Sequence, residues 1–310
     1  NLLTYVLPAA LKNTVLLLAG VAVMVGVIGV GSAWAVTAWD FPGRKILSWA
    51  LLLPLAMPTY IVAFAWLDLL HPIGPLQTFI RFLLGFDSPR QFRLPDLRSL
   101  SGAIILLGLV LYPYVYLTTR AMFISQPAHL LEAARTLGCS ATGTFFRVAL
   151  PMARPALAVG ISLALLETLN DIGASEFLGV QTLTVTVYTT WISRSDLSAA
   201  AQIACMMLMF IFLILTLEFY GRRKQGFSSR SLREIQPTRV QGWRGWLLGG
   251  VISLPVLLGF LAPVLFLMWE SAKRIGDENP LSSSLLSALQ NTLSLAAGTT
   301  LVVVCVSMLV

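Results

Sequence analysis

Residues 132–151 read EAARTLGCSATGTFFRVALP. The pattern over 130–137 predicts a short helix with Leu130, Ala134 and Leu137 on one face. Ala133 and Ala134 are small, so another backbone can approach closely. Gly138 admits a conformation closed to other residues, which ends the helix and turns the chain. A second helix is expected over 140–149. Leu150-Pro151 is expected to end it, and Pro155 to lead into the next apolar run. Because apolar runs at 102–119 and 156–173 flank this stretch, it reads as a helix-turn-helix elbow projecting from a membrane.

Composition supports that setting. The chain of 310 residues is 57% hydrophobic and only 11% charged, where soluble domains carry about 25% charged residues. Mean hydropathy is +0.81. Seven segments are apolar and long enough to cross about 30 Å of hydrocarbon: 13–38, 46–70, 102–119, 156–173, 198–219, 246–269 and 288–310. Helices are required, because lipid offers no hydrogen bonds to an open backbone. Pro54 and Pro58 in the second segment, and Pro255 and Pro263 in the sixth, predict kinks, and Tyr112-Pro113-Tyr114 a bend in the third. The fold class is therefore all-α, a polytopic transmembrane helical bundle.

Thirteen of the 21 Lys and Arg residues fall in three alternate loops, 40–45, 120–155 and 221–245. These loops are assigned to the cytoplasm. The other side holds Arg81, Arg90, Arg93 and Arg98 in one long loop, and its charge is largely cancelled by Asp87, Asp96, Glu176, Asp196, Asp277 and Glu278. Within that loop, residues 76–84 predict an interfacial helix. The net charge of +7 belongs to these loops. No basic stretch is interleaved with aromatics, so nucleic acid is not an expected partner; membrane lipid is. Trp34, Trp39, Trp49, Trp246 and Trp269 lie near segment ends, as an aromatic belt would place them.

Residues 11–20 (LKNTVLLLAG) and 289–298 (LQNTLSLAAG) match at a constant offset of 278. Internal duplication is a recurrent transporter design. It predicts a first half over 1–220 lacking its first helix, a basic cytoplasmic linker over 221–245, and the start of a second half over 246–310. Repeat arithmetic leaves roughly 200 residues beyond Val310, and the opening at Asn1 without Met points to further chain before it.

The opening motif resembles the EAA loop of ABC importer permeases, written Glu-Ala-Ala, three residues, Gly, nine residues, Ile, one residue, Leu-Pro. Glu132, Ala133, Ala134, Gly138, Leu150 and Pro151 fit that spacing, and Val148 stands where Ile is usual. The resemblance implies the type I, MetI-like permease fold. It implies an elbow that docks into a cleft on a dimer of ATP-binding cassette subunits, with Glu132 and nearby arginines setting the polar register. It also implies a periplasmic substrate-binding protein, alternating access driven by ATP bound on the partner, and a multi-pass place in the bacterial inner membrane. Residues 167–191 (ETLNDIGASEFLGVQTLTVTVYTTW) resemble the matching stretch of ferric-iron permeases, and less closely that of thiamine permeases. Ferric iron is thus the first expected substrate, with thiamine or another small solute behind it. An ion-gradient-driven transporter would explain the helices but not the elbow.

Glu167 and Asp171 are four apart on one helix face, with Asn170 beside them. Charges at such depth usually face a cavity or a partner, so these three are the candidate gate or translocation path; the plainer reading has Asp171 marking the water interface and Glu167 pairing locally. His71 and His129 lack a metal-spaced partner, and Cys139, Cys205 and Cys305 are far apart, so no metal site, disulfide framework or cofactor of this chain's own is expected. No phosphate-loop motif Gly-x-x-x-x-Gly-Lys-Ser/Thr occurs, and no Gly-x-Ser-x-Gly, His-Glu-x-x-His or paired Cys motif either. The chain is not expected to be an enzyme.

Overall fold

Backbone amides surrounded by lipid must bond within their own segment, and the computed structural model meets this requirement with helices. It describes residues 6–86, 88–222, 237–277 and 283–309. Positions 223–236 of the basic linker, together with Asp87 and Glu278, lie outside the described residues.

In chain order the elements are α1 (Leu7–Ala38), β1 (Trp39–Asp40), α2 (Arg44–Ala50), a 3-10 turn (Leu53–Ala56), α3 (Thr59–Leu69), α4 (Pro75–Leu84), α5 (Leu100–Ser125), α6 (Ala128–Thr136) and α7 (Ala141–Thr144). A π-helical segment (Phe145–Ala149) leads into α8 (Leu150–Asn170). Then come α9 (Gly173–Phe177), α10 (Leu183–Ile192), α11 (Leu197–Arg222), β2 (Thr238–Arg239) and α12 (Trp243–Val256). A second π-helical segment (Leu257–Leu261) precedes α13 (Ala262–Asp277) and α14 (Ser283–Leu309).

Among the described residues six helices are long and apolar enough to cross a membrane, or seven if the bent pair Arg44–Ala56 and Thr59–Leu69 counts as one span. That pair corrects the expectation of a kinked helix over 46–70. Its two arms meet at 93°. Pro54 opens the 3-10 turn, and Pro58 forces the residue before it out of the helical region, leaving Met57 extended at φ −105° and ψ 126°. The steric clash between a proline ring and its predecessor is the cause.

A second correction concerns Leu150-Pro151, which does not end a helix. Helical backbone runs on from Ala141 to Asn170, with Pro151 at the start of α8 directly after the π-helical segment. Each π-helical segment ends two residues before a proline, Pro151 in one case and Pro263 in the other. The missing amide removes one i−4 bond, and widening to i−5 bonds is how the backbone adjusts.

The bundle core is α5, two-thirds of whose apolar window is buried. It lies between α1 and α8 through glycines. A Cβ on Gly29 of α1 would sit 2.7 Å from Val115 Cβ, and one on Gly160 of α8 would sit 2.7 Å from Val115 Cα. Close approach through small residues gives membrane helices their packing contacts, since lipid removes the hydrophobic drive between them. Pro113, inside α5, leaves the Leu109 carbonyl without its usual intrahelical donor. Gly259 of the second π-helical segment covers that carbonyl, and a Cβ there would be 2.5 Å from the oxygen.

The chain returns from the linker to the end of α1. Strand β2 pairs in parallel with β1, Trp39 opposite Thr238 and Asp40 opposite Arg239, and Val240 N donates to Asp40 O at 2.9 Å. Arg44 donates from Nε to Val36 O at 2.6 Å, covering a free carbonyl at the end of α1. Asp40 also faces Arg44 at 3.8 Å and Arg239 at 3.9 Å.

Contacts divide the chain into two compact bodies, 1–263 and 264–310. Helix α12, which repeat arithmetic assigns to a second half, packs in the first: Gly249 lies against Pro42 O and the Phe41 ring. In the second body Thr292 donates to Ala288 O at 2.8 Å. Thr14, its partner in the repeat, makes the matching bond to Ala10 O, also at 2.8 Å.

Candidate functional site

The elbow forms as its residues dictate. Helix α6 ends in a paired cap: Cys139 N donates to Ala134 O and Gly138 N to Arg135 O, each at 3.0 Å. This closure needs a left-handed residue just past the helix, and Gly138 has φ +86° with open space where a Cβ would be. The chain re-enters helix at once, with Ser140 Oγ accepting from Gly143 N at 3.1 Å.

The buried face of α6 differs from expectation. Leu131 and Ala134 turn inward at 6% and 8% exposure, whereas Leu130 and Leu137 are exposed, Leu137 at 85%. Glu132, Ala133 and Gly138 are exposed as well. Phe146 adds a ring that is 60% exposed. The elbow therefore presents apolar and small side chains outward, with Glu132 and Arg135 beside them. Val148 and Leu150 are half-buried against the bundle core, and Pro151 is half-buried with them. These last three root the elbow rather than face outward.

Sequence reasoning missed what seats the elbow. Trp34, expected in an interfacial belt, is 7% exposed. Its ring lies 5.2 Å from Phe123 of α5 and 5.1 Å from Phe145 of the π-helical segment. Gln126, 1% exposed, donates from Nε2 to Ala149 O at 2.9 Å. Elbow, α1 and α5 are thus locked at one end. The run Phe145-Phe146 was the available signal, but nothing local in it names Trp34 as the partner. Trp49, Trp246 and Trp269 do lie exposed, as a belt requires.

At the other end of the bundle, Glu167 and Asn170 are exposed on the last turn of α8. Asp171 Oδ1 accepts from Ala174 N at 2.8 Å, so it caps α9. The structure keeps the three on one turn without bonding them to each other. The loop behind them is hooked to α1. Asn13 Nδ2 donates to Gln181 O at 3.1 Å, and Leu183 N donates to Thr14 Oγ1 at 2.9 Å. Thr184 Oγ1 donates to Leu169 O. The repeat singled out Asn13 and Thr14, but their partners lie 168 and 169 residues away. Asp196, before α11, accepts from Ala199 N and Ser198 Oγ, which hold its carboxyl below its ordinary range. Among the described residues no three His, Cys, Asp or Glu side chains come together as a metal site.

Comparison with known proteins agrees with this arrangement. The chain is 29% identical over 228 residues to the sulfate transport system permease protein CysT of Salmonella typhimurium, covering 70% of this chain and 79% of that one. It is 26% identical over 306 residues to the Fe(3+)-transport system permease protein FbpB 2 of Haemophilus influenzae, which takes in 95% of this chain but 54% of the relative. The chain therefore spans about half the length of that relative. In fold it is similar to a bacterial ABC transporter involved in the import of alginate, with a TM-score of 0.58 at 17% identity over 72% of this chain and 81% of that one. A family model described as "Binding-protein-dependent transport system inner membrane component" matches residues 26–226, a span that takes in the elbow, its aromatic seat and α8. By that match the chain belongs to the family of inner membrane components of binding-protein-dependent transport systems, the permeases of ABC importers.

Proposed function

We propose that this chain forms the translocation path for ferric iron, delivered by a periplasmic binding protein and driven by ATP hydrolysis on a partner ATPase dimer that grips the elbow. The observation that carries the coupling role is the elbow itself. It is seated on Trp34, Phe123 and Phe145, yet leaves Leu137 and Phe146 open to solvent. A rigid root with an uncovered apolar tip is what transmits a push from a partner into helices, and buried aromatic or aliphatic anchors carry most of the energy in such contacts. Glu132 and Arg135 would fix its register. Glu167 and Asn170 line the mouth of the path in this reading, while Asp171 first serves α9.

Ferric iron is favoured because similarity to the Fe(3+) permease extends over 95% of this chain. An oxyanion is the second reading, favoured by the sulfate permease and by the 2-aminoethylphosphonate permease PhnU of Salmonella typhimurium, 32% identical over 53% of this chain and 57% of that one. The test is uptake of labelled ferric iron and labelled sulfate by cells carrying the full-length gene with its ATPase and binding-protein genes. Iron uptake that needs ATP and collapses in Gly138→Asp supports the proposal. Sulfate uptake with the same dependence moves the substrate and keeps the coupling. Uptake indifferent to the ATPase and to Gly138 overturns both.

A further inference from the structure

The loop before α5, at the end of the bundle opposite the elbow, holds Arg90, Arg93 and Arg98 against Asp87 and Asp96. Helix α5 starts there at Leu100 and reaches the elbow end at Ser125, about 39 Å away at 1.5 Å per residue. The loop before α5 is not loose. Gln77 of α4 is 1% exposed. It donates from Nε2 to Leu70 O at 2.6 Å and accepts at Oε1 from Leu94 N at 3.2 Å. One buried amide thus ties the end of α3 to the loop. Phe86 and Phe92 stack at 5.8 Å to close its base.

This folding encloses a cleft of about 220 Å³ whose polar walls are His71, Gln77, Arg93, Asp96 and Arg98. That is room for a small ion with its bridging waters. Its hydrogen-bonding capacity is lopsided. Gln77 spends its oxygen and one of its two N–H groups on the backbone. Asp96 Oδ1 accepts from Arg98 N at 2.9 Å, and Oδ2 lies 3.7 Å from Arg93 Nη2 in a pair more than half exposed. An exposed pair at that distance holds weakly, so Arg93 is available to a stronger acceptor. Arg98 has no side-chain partner among the described residues. His71 Nδ1 accepts from Ile73 N at 3.4 Å, which puts the proton of the neutral ring on Nε2 as a further donor. One turn along α4, outside the lining of the cleft, Arg81 is 6% exposed and donates from Nη2 to Thr78 Oγ1 at 3.1 Å. In the cleft itself, two exposed arginines and a histidine N–H face a single carboxylate.

We propose that this cleft binds a tetrahedral oxyanion of the sulfate or molybdate class, held by Arg93 and Arg98. Guanidinium groups present forked N–H pairs that match such oxygens. The site stands apart from the elbow and does not depend on which solute crosses the membrane.

The test is equilibrium binding of labelled sulfate, and separately of molybdate, to the full-length permease with its ATPase in lipid nanodiscs, without the binding protein. Saturable binding that weakens with added salt is expected. Arg93→Gln and Arg98→Gln should each weaken it about tenfold, the loss of one charge-assisted contact. Arg194→Gln, which removes an arginine at the same end but outside the cleft, should leave it unchanged. Gel-filtration profiles check that each variant remains assembled. The proposal is overturned if neither anion binds saturably, or if Arg194→Gln weakens binding as much as the cleft variants. It is also overturned if Arg93→Gln and Arg98→Gln leave anion binding unchanged and, in a parallel titration with the binding protein added, weaken only its association, since that assigns the arginines to protein carboxylates.

Discussion

The two ends of this bundle handle exposed backbone and side chains in opposite ways. At the far end, polar side chains reach across the sequence to close loops: Asn13 to Gln181, Leu183 to Thr14, Gln77 to Leu70 and Leu94. At the elbow end, bonds within 127–144 are local caps, and the tie to the bundle is chiefly aromatic, with one buried amide bond from Gln126 to Ala149 O. The far-end loops are finished by bonds to distant segments. The elbow, which the proposed function gives to a partner, is rigid at its root and exposed at its tip. The contrast predicts that damage at the far end lowers stability first, and damage at the elbow tip lowers transport first.

The harshest way to break the comparison is Trp34→Ala, which removes the shared root. Burial of this size predicts a loss of about 3–5 kcal/mol, read as a lower melting temperature in detergent, together with lost uptake. Thr14→Val should cost about 1–3 kcal/mol, because the buried Leu183 N–H loses its acceptor; Thr14→Ser should restore the melting temperature, while Thr292→Val should leave it within error. At the tip, Gly138→Asp should lower uptake about tenfold while shifting stability by only about 1 kcal/mol, the strain of a side chain at positive φ. If its melting temperature falls as far as that of Thr14→Val, the tip is structural and the distinction fails. The smallest effect belongs to Asp171→Asn, which still accepts from Ala174 N. Uptake should stay within about twofold, since an Asn cap nearly equals Asp. A larger fall would return Asp171 to the translocation path.

Legibility followed the range of the interactions. The turn at Gly138 was readable because a capped helix end is written in adjacent residues, and the spans because hydropathy sums over neighbours. The inward face of α6 was not, since a helix of nine residues (Ala128–Thr136) has no fixed phase until Leu131 finds the core. Pro54 and Pro58 announced a break but not its 93° angle, which depends on what α3 packs against. Trp34 sat where an interfacial ring belongs, and only Phe123 and Phe145, distant in sequence, draw it inside. Asn13 and Thr14 were visible as a repeat without a reason, because the reason is a loop near residue 182.

The seam between α5 and the segment Leu257–Leu261 has a mechanical consequence. Where Leu109 O meets Gly259 there is no N–H between them, only carbon facing oxygen. Contacts of that kind are shallow and tolerant of angle. The seam therefore holds by close packing rather than by a backbone hydrogen bond of its own. A methyl group at position 259 would collide with the Leu109 oxygen at 2.5 Å and push the two helices apart.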